Sequence, residues 1–585
     1  MAIERIGKLK LQAALALLIC SLCIGSFPAL YAQAPGQSTT TIELDDPVQR
    51  IRDEGLNRSQ VMEIAWSITE RIGPRLTGSP GMKLAREWAK KTLIEWGLHN
   101  VHFEPWGPFG RGWSVVRVSV ELISPQPTQI MAVPKAWSPG TAGAVTCKVV
   151  HLDADDLAGL ERYRGKLKDA VVLFTAPRDL KPHFEPLATR RDEKELLSLA
   201  NRAEPELEQA FLEATRRRQA QREPSPEMAA RIRVARAQQF YPKKIQFLID
   251  EGAAVALEVS RAGDGGTIFT EQAIVSVSLD STNDALAMRN QPHLWDKKPL
   301  VNLPQLTIAA EHYNRLVRML QRGEELRMKI DLAVEFHDED LMGYNTIAEI
   351  PGTDLKDEVV ILGAHFDSWH IGTGATDNAA GCAVMMEAIR ILKTLDLKPR
   401  RTIRLALWEG EEQGLLGSTA YVKEHFGFLG DGKYKSLGES SLLQAEARRR
   451  GEQLKLTRKP AYEKISAYYN LDNGAGRIRG IGVNGNENLR PLFRKWLMPF
   501  GDLGASTVSA AGSGGTDHVS FYQIGIPGFQ FIQDWLEYFT RTHHSNMDVF
   551  DRLQEEDLKN SAVIVAAFVY NTAMLDKMLP RRPLN

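Results

Sequence analysis

The chain has 585 residues, of which 43% are hydrophobic and 25% charged, and its 72 basic and 73 acidic side chains give a formal net charge of −1. That length exceeds one ordinary hydrophobic core and implies two or more domains. The balanced charge removes the electrostatic argument for nucleic acid as a partner.

Arg5, Lys8 and Lys10 precede an apolar stretch from Leu11 to Ile24, which is short for a bilayer span and has the layout of a secretory signal. Cleavage after Ala32 or Ala34 makes residues 1–32 a signal peptide and 33–50 a polar, disordered linker. The expectation is an exported protein, periplasmic or extracellular, with no stable membrane association once processed. Processing removes Cys20 and Cys23 and leaves Cys147 and Cys382 in different expected domains, so no disulfide framework is implied.

Residues 51–129 read as the first, helix-bearing part of the main domain. Val61, Ile64, Ala65, Ile68 and Ile72 mark one amphipathic helix. Pro80 opens a second, carrying Leu84, Ala85, Trp88, Ala89 and Trp96, and Gly97 ends it. From 130 to 275 the pattern changes to short apolar runs at 149–152, 170–174 and 253–257, the signature of strands in a small β-rich module. Within it, residues 190–240 form a charged, helix-prone excursion containing Arg216, Arg217 and Arg218, which reads as a solvated helical hairpin. The glycines at 263, 265 and 266 lack the spacing of a nucleotide-binding loop and read as a turn.

The remainder, 276–585, carries the chemistry. Val359 to Ala364 is a continuous apolar run, as expected of a strand covered on both faces, and it ends at His365, with Asp367 two residues on. Thr402 to Trp408 is a second such strand, running into Glu411 and Glu412. Ser466 to Leu471 leads to Asp472, and Gly528 to Ile532 precedes His543 and His544. Between the first two strands, Gly374 to Gly381 encloses Asp377, followed by apolar residues at helical spacing from Val384 to Leu392. In an open parallel sheet, strand ends of this kind converge on one edge, where ligands bind.

Those residue types are the inventory of a two-zinc hydrolase. Zinc takes imidazole nitrogen and carboxylate oxygen and leaves a position open for water when catalytic. Two ions about 3.5–4 Å apart need a bridging carboxylate. Asp377 is the expected bridge, with His365 and Asp472 on one ion and Glu412 and His544 on the other. Glu411 is left as general base, and Asp367 is placed to accept the second ring N–H of His365. His543 and Asp517 are expected to contact substrate, and Arg477 and Arg479 are candidates for gripping a substrate carboxylate.

The segments Ile72 to Ser79, His365 to Trp369, Thr376 to Gly381, Trp408 to Gly414 and His544 to Asp548 resemble those of the co-catalytic di-zinc exopeptidases, the leucyl aminopeptidase and glutamate carboxypeptidase group, and most closely its carboxypeptidase Q branch. The likeness spans roughly residues 45 to 580, with several motifs in order. It implies an α/β peptidase domain with a mostly parallel central sheet and helices on both faces, interrupted by an inserted protease-associated domain. It also implies the ligand and base roles above, a cis peptide at Asp377–Asn378, two zinc ions per chain, a peptide or dipeptide substrate and a homodimer. The stretch from Gly430 to Lys459 is a departure, a polar insertion expected to reshape the substrate pocket. Two further readings use the same scaffold: a metal-free, receptor-like binding protein and a one-zinc aminoacyl cyclase.

Overall fold

The computed structural model describes residues 46–202, 239–280, 293–297, 301–512 and 514–582. The expected signal peptide, residues 33–45 of the linker and 203–238 of the charged excursion lie outside the described residues.

An eight-stranded sheet organises the second half of the chain. Its order is His99–Trp106, Gly343–Ile350, Arg401–Trp408, Leu355–His365, Ile465–Asn470, Gly528–Gln533, Ile478–Gly482 and Thr507–Ser509. The four strands read from the sequence as feeding the ligands sit side by side and parallel at its centre, with His365 opposite Trp408, and Asn470 opposite both Gly363 and Gln530. Antiparallel pairings flank them on either side. The sheet is mostly parallel, as expected, with antiparallel strands added on either side of its centre. His365, the Glu411–Glu412 turn, Asp472 and the His543–His544 segment all leave the same edge, because parallel strands put all their carboxyl ends on one side.

Burial on both faces explains the continuous apolar runs. One face is covered by the helices Asp46–Asn57, Val61–Trp66, Ala380–Thr394 and Glu555–Met574, whose Val563 to Val569 stretch is fully buried. A helix apolar on all sides belongs in a core. Leu416–His425 and His518–Tyr522 cover the other face, where Trp408, Tyr421, Tyr468 and Phe521 stack. Among the described residues no helix is long and apolar enough to cross a membrane. Cys147 and Cys382 are both free and buried.

A second eight-stranded sheet has the order Thr128–Gln129, Gly112–Ser124, Arg327–His337, Val145–His151, Ala170–Leu173, Val255–Val259, Gln305–Ile308 and Ala132–Pro134. It contains the three apolar runs predicted as strands, but it also draws strands from both sides of residues 130–275. The long pair Gly112–Ser124 and Arg327–His337 is antiparallel and partly exposed, so its alternating pattern carries less apolar signal than the central runs.

Candidate metal centre

Two local features bring Asp377 to the sheet edge. The Asp377–Asn378 peptide is cis, as the resemblance implied. The Asn378 side chain then donates to the Leu471 carbonyl at 2.9 Å and accepts from Gly381 N at 3.0 Å, which ties the start of helix Ala380–Thr394 to the loop that carries Asp472. Position 381 has to be glycine, since a Cβ there would lie 2.3 Å from both the Asn378 amide oxygen and the Leu471 carbonyl.

The two oxygens of Asp377 face two different imidazoles. Oδ1 lies 3.2 Å from His365 Nε2, and Oδ2 lies 3.3 Å from His544 Nε2. His365 Nε2 is also 3.4 Å from Asp472 Oδ1, and His544 Nε2 is 3.0 Å from Glu412 Oε2. Two donor atoms each about 2.0–2.1 Å from one tetrahedral cation stand roughly 3.3 Å apart, so these separations are those of ligands around two ions sharing Asp377. His365 Nε2, Asp377 Oδ2 and Glu412 Oε1 are buried and have no hydrogen-bond partner. Buried polar atoms are nearly always paired, and a set of unpaired nitrogen and carboxylate lone pairs aimed at one space is the donor set of a cation site. The residues present therefore fit a two-metal centre.

The acidic turn is held from behind by Asp367. Its carboxylate accepts from Glu411 N at 3.2 Å, Glu412 N at 3.3 Å and the Thr77 hydroxyl at 2.9 Å. This corrects its expected role: His365 Nδ1 bonds the Asp367 backbone carbonyl at 3.0 Å and stands 3.7 Å from the carboxylate, which is taken up by the three other donors. Burial pushes the Glu411 carboxyl well above its ordinary range; His365 opposes the shift, and the Asp472, Asp517 and Glu412 carboxyls reinforce it. Burial likewise raises Glu412 to about 7, helped by Asp377.

Three supports were missed from the sequence. Glu271, in the segment after the second sheet's Val255–Val259 strand, accepts from His544 Nδ1 at 2.7 Å, and the same oxygen, Oε1, pairs with Arg261. Burial alone would raise its carboxyl, but the His544 hydrogen bond and Arg261 hold it well below the usual range. Asp548 accepts from Thr376 N at 2.6 Å and Asp377 N at 3.2 Å and so braces the loop of the bridging carboxylate. Arg75, fully buried, donates to the carbonyls of Phe366, Gly73, Thr373 and Gly374 at 2.7–2.9 Å and clamps the strand end at His365 to that same loop. The arginine in the Ile72 to Ser79 motif and the acid four residues after His544 were visible as signals. Glu271 had none.

The remaining expectations divide. His543 stacks on His544 with ring centroids 3.7 Å apart, and its Nε2 is 3.8 Å from Asp377 Oδ2. His544 alone also reaches Glu412 and carries an outer carboxylate, which makes it the better ligand and leaves His543 on the cleft wall. That cleft, of about 370 Å³, is lined by Glu411, Asn473, Thr516, Tyr538, Phe539 and His543 among others. Asp517 does not line it, a correction: the residue is fully buried behind Thr516, with both carboxylate oxygens unpartnered, and burial raises it to about 7 against the pull of His365. Arg477 and Arg479 are corrected too. Arg477 stands 3.2 Å from Asp557, and Arg479 donates to Asp534 at 3.0 Å, so both belong to a structural ion-pair network.

Residues 345–434 and 442–569, which contain all five expected ligands and Glu411, match the model of peptidase family M28. The chain carries a family M28 peptidase domain. It is a metallo-exopeptidase, a hydrolase. Carboxypeptidase Q of Mus musculus is 23% identical to this chain over 575 residues, covering 96% of this chain and 97% of the mouse protein. Carboxypeptidase Q of Bos taurus is 24% identical, covering 95% and 96%. The M28 peptidase precursor of Shewanella amazonensis, a solved structure 23% identical over 92% of this chain and 98% of that one, superposes with a TM-score of 0.59 and shares the fold.

Proposed function

We propose that this chain is a zinc-dependent exopeptidase with two ions per chain, hydrolysing free dipeptides or the terminal bond of short peptides. The observation that carries the reading is Asp377, with one carboxylate oxygen 3.2 Å from His365 and the other 3.3 Å from His544. His365 and Asp472 would hold one ion, Glu412 and His544 the other, and Asp377 both. When bound, the ions supply Lewis acidity and lower the pKa of water. Glu411 lines the cleft and is free of ion pairs among the described residues. It takes the proton of the attacking water and returns it to the leaving amine. Tyr538, Phe539 and Leu415 give the cleft an apolar lip that favours an uncharged terminal residue.

The second sheet is proposed as the protease-associated module of this architecture, inserted ahead of His365. Its Ile268 to Glu271 segment bonds the His544 loop: Thr270 N donates to the His544 carbonyl at 3.1 Å and Ile268 N to the Asn546 side chain at 2.7 Å. Export to the periplasm or beyond remains the proposed location, supported by the basic-then-apolar start of the chain.

Metal analysis of the purified protein together with assays on dipeptides, aminoacyl anilides and blocked peptides tests the reading. Two zinc per chain are expected. Glu411→Gln should keep both and lose about 10²–10⁴ in kcat, the range for removal of a general base. One zinc per chain with cyclase activity, or no zinc at all, replaces this reading with one of its two rivals.

A further inference from the structure

Behind the acidic turn lies a second cavity, of about 160 Å³, whose lining shares no residue with the cleft. The turn presents Glu411, Glu412 and Leu415 to the cleft and Gln413 and Leu416 to this cavity. One part of its wall is aromatic, where Trp106 packs edge-on against Phe109 at 6.0 Å and Phe109 stacks on Trp295 at 5.2 Å and 14°, and Asp296, Lys423 and Ser436 line it elsewhere. Three polar atoms inside are buried and unpartnered, namely Trp106 Nε1 and both amide atoms of Gln413. Trp106 is only 8% exposed, and its N–H meets no acceptor among the described residues. The lining also includes Lys435, whose ammonium makes no ion pair among the described residues, and Glu439, whose Oε2 accepts from Lys435 N at 2.7 Å and whose Oε1 is left over.

We propose that this cavity binds a free aromatic amino acid. A cavity of roughly 150 Å³ has room for one benzene ring, which the Trp106, Phe109 and Trp295 rings would face. The unpaired indole N–H and carboxamide call for a ligand that bears polar groups, since such atoms cost free energy when left unmade. Lys435 and Glu439 supply opposite charges in the lining, as a carboxylate and an ammonium require. Occupancy reaches the reaction centre through Trp106, which lies so close to Gly410 that a Cβ on Gly410 would stand 2.8 Å from the indole ring. Gly410 immediately precedes Glu411, so a shift of the indole moves the base. On the exopeptidase reading above, the ligand is of the product class, and the site is a product sensor.

Calorimetric titration of the full-length, zinc-loaded protein with L-phenylalanine and L-tryptophan tests this, with L-alanine and indole for comparison. Saturable one-to-one binding of the aromatic amino acids is expected, with L-alanine at least about tenfold weaker. Lys435→Met combined with Glu439→Gln should weaken L-phenylalanine by about tenfold or more while leaving indole binding unchanged. Trp295→Leu should abolish both. Bound ligand should change kcat on an alanine dipeptide without competing with it. The proposal is overturned by absence of saturation, by L-alanine binding as tightly, by indifference to the double variant, or by competition with the dipeptide, which would place the ligand in the cleft. Titration requires no turnover, so failure of every hydrolysis assay would leave a positive binding result standing.

Discussion

His365 and His544 must each leave one ring nitrogen bare for a cation, so the other nitrogen has to carry the proton and be held in place. For His365 the holder is the Asp367 carbonyl at 3.0 Å, and for His544 it is the Glu271 carboxylate at 2.7 Å. A charged acceptor binds the N–H more strongly than a carbonyl and makes the opposite nitrogen a better donor. Glu271→Gln keeps an acceptor oxygen and the size of the side chain but removes the charge. Zinc affinity at the His544 site should fall by about 10–100-fold, the usual cost of losing such a partner, with the His365 site little changed. Competition with a chromogenic chelator measures both sites, and equal affinities for variant and parent would show that Glu271 has no hold on the metal.

At the level of elements, the parallel centre does the assembling, and this part was legible in the sequence. The apolar runs ending at His365, Trp408, Asn470 and Ile532 lack the alternation of a half-exposed strand, so type, position and carboxyl end could all be read from them. The candidate ligands His365, Glu412 and Asp472 come within a few residues of such a run and Asp377 lies in the glycine-bounded loop between two of them, whereas His544 follows only after the intervening turn Tyr538–Thr542. The supports were not legible for the opposite reason. Glu271 sits in a segment without periodicity, and its partner is met only through the packing of the two sheets. Arg477 and Arg479 look alike on the chain whether they face substrate or Asp557 and Asp534. Asp517 follows the Gly514 to Thr516 wall so closely that only burial separates it from the cleft. The joint between helix Ala380–Thr394 and the Asp472 loop can be tested directly. Gly381→Ala forces a Cβ against the Leu471 carbonyl, which is backbone and cannot swing away. A loss of about 1–3 kcal/mol in stability is expected from the overpacking, and because the strain separates Asp377 from Asp472, zinc content should fall with it. Chemical denaturation and metal analysis on one sample test this. A variant with full zinc and unchanged stability would mean that the helix start gives way more easily than its hydrogen bonds indicate.

For the whole molecule, the concentration of buried acid around the centre sets the pH response. Burial raises Glu409, Glu412, Asp517 and Asp548 to about 7 each. A carboxyl raised in the folded state binds more protons there than in the unfolded chain, so stability falls as pH rises from the ordinary carboxyl range through 7. His365 and His544 are raised well above 6.5 by the facing carboxylates, against the effect of burial. Their contribution is present below the ordinary histidine value and is lost as pH rises through the raised values, which is the same sign. Asp377 and Glu271 are depressed, so what they contribute is lost only when the solution becomes more acidic than an ordinary carboxyl. Between pH 5 and 8 the two larger groups act together, and the zinc-stripped protein should melt at a lower temperature at pH 8 than at pH 5. Zinc should reverse the trend, because the ligands it needs are the deprotonated ones and each rise in pH lowers the proton competition. Scanning calorimetry at pH 5, 6, 7 and 8, with chelator and with zinc, should therefore give two melting curves that diverge with pH, the gap being largest at pH 8. If the stripped protein proved as stable at pH 8 as at pH 5, the carboxyls would have to be paired by cations already present in the chain. Arg86, 3.6 Å from Glu409, would then be the first residue to replace.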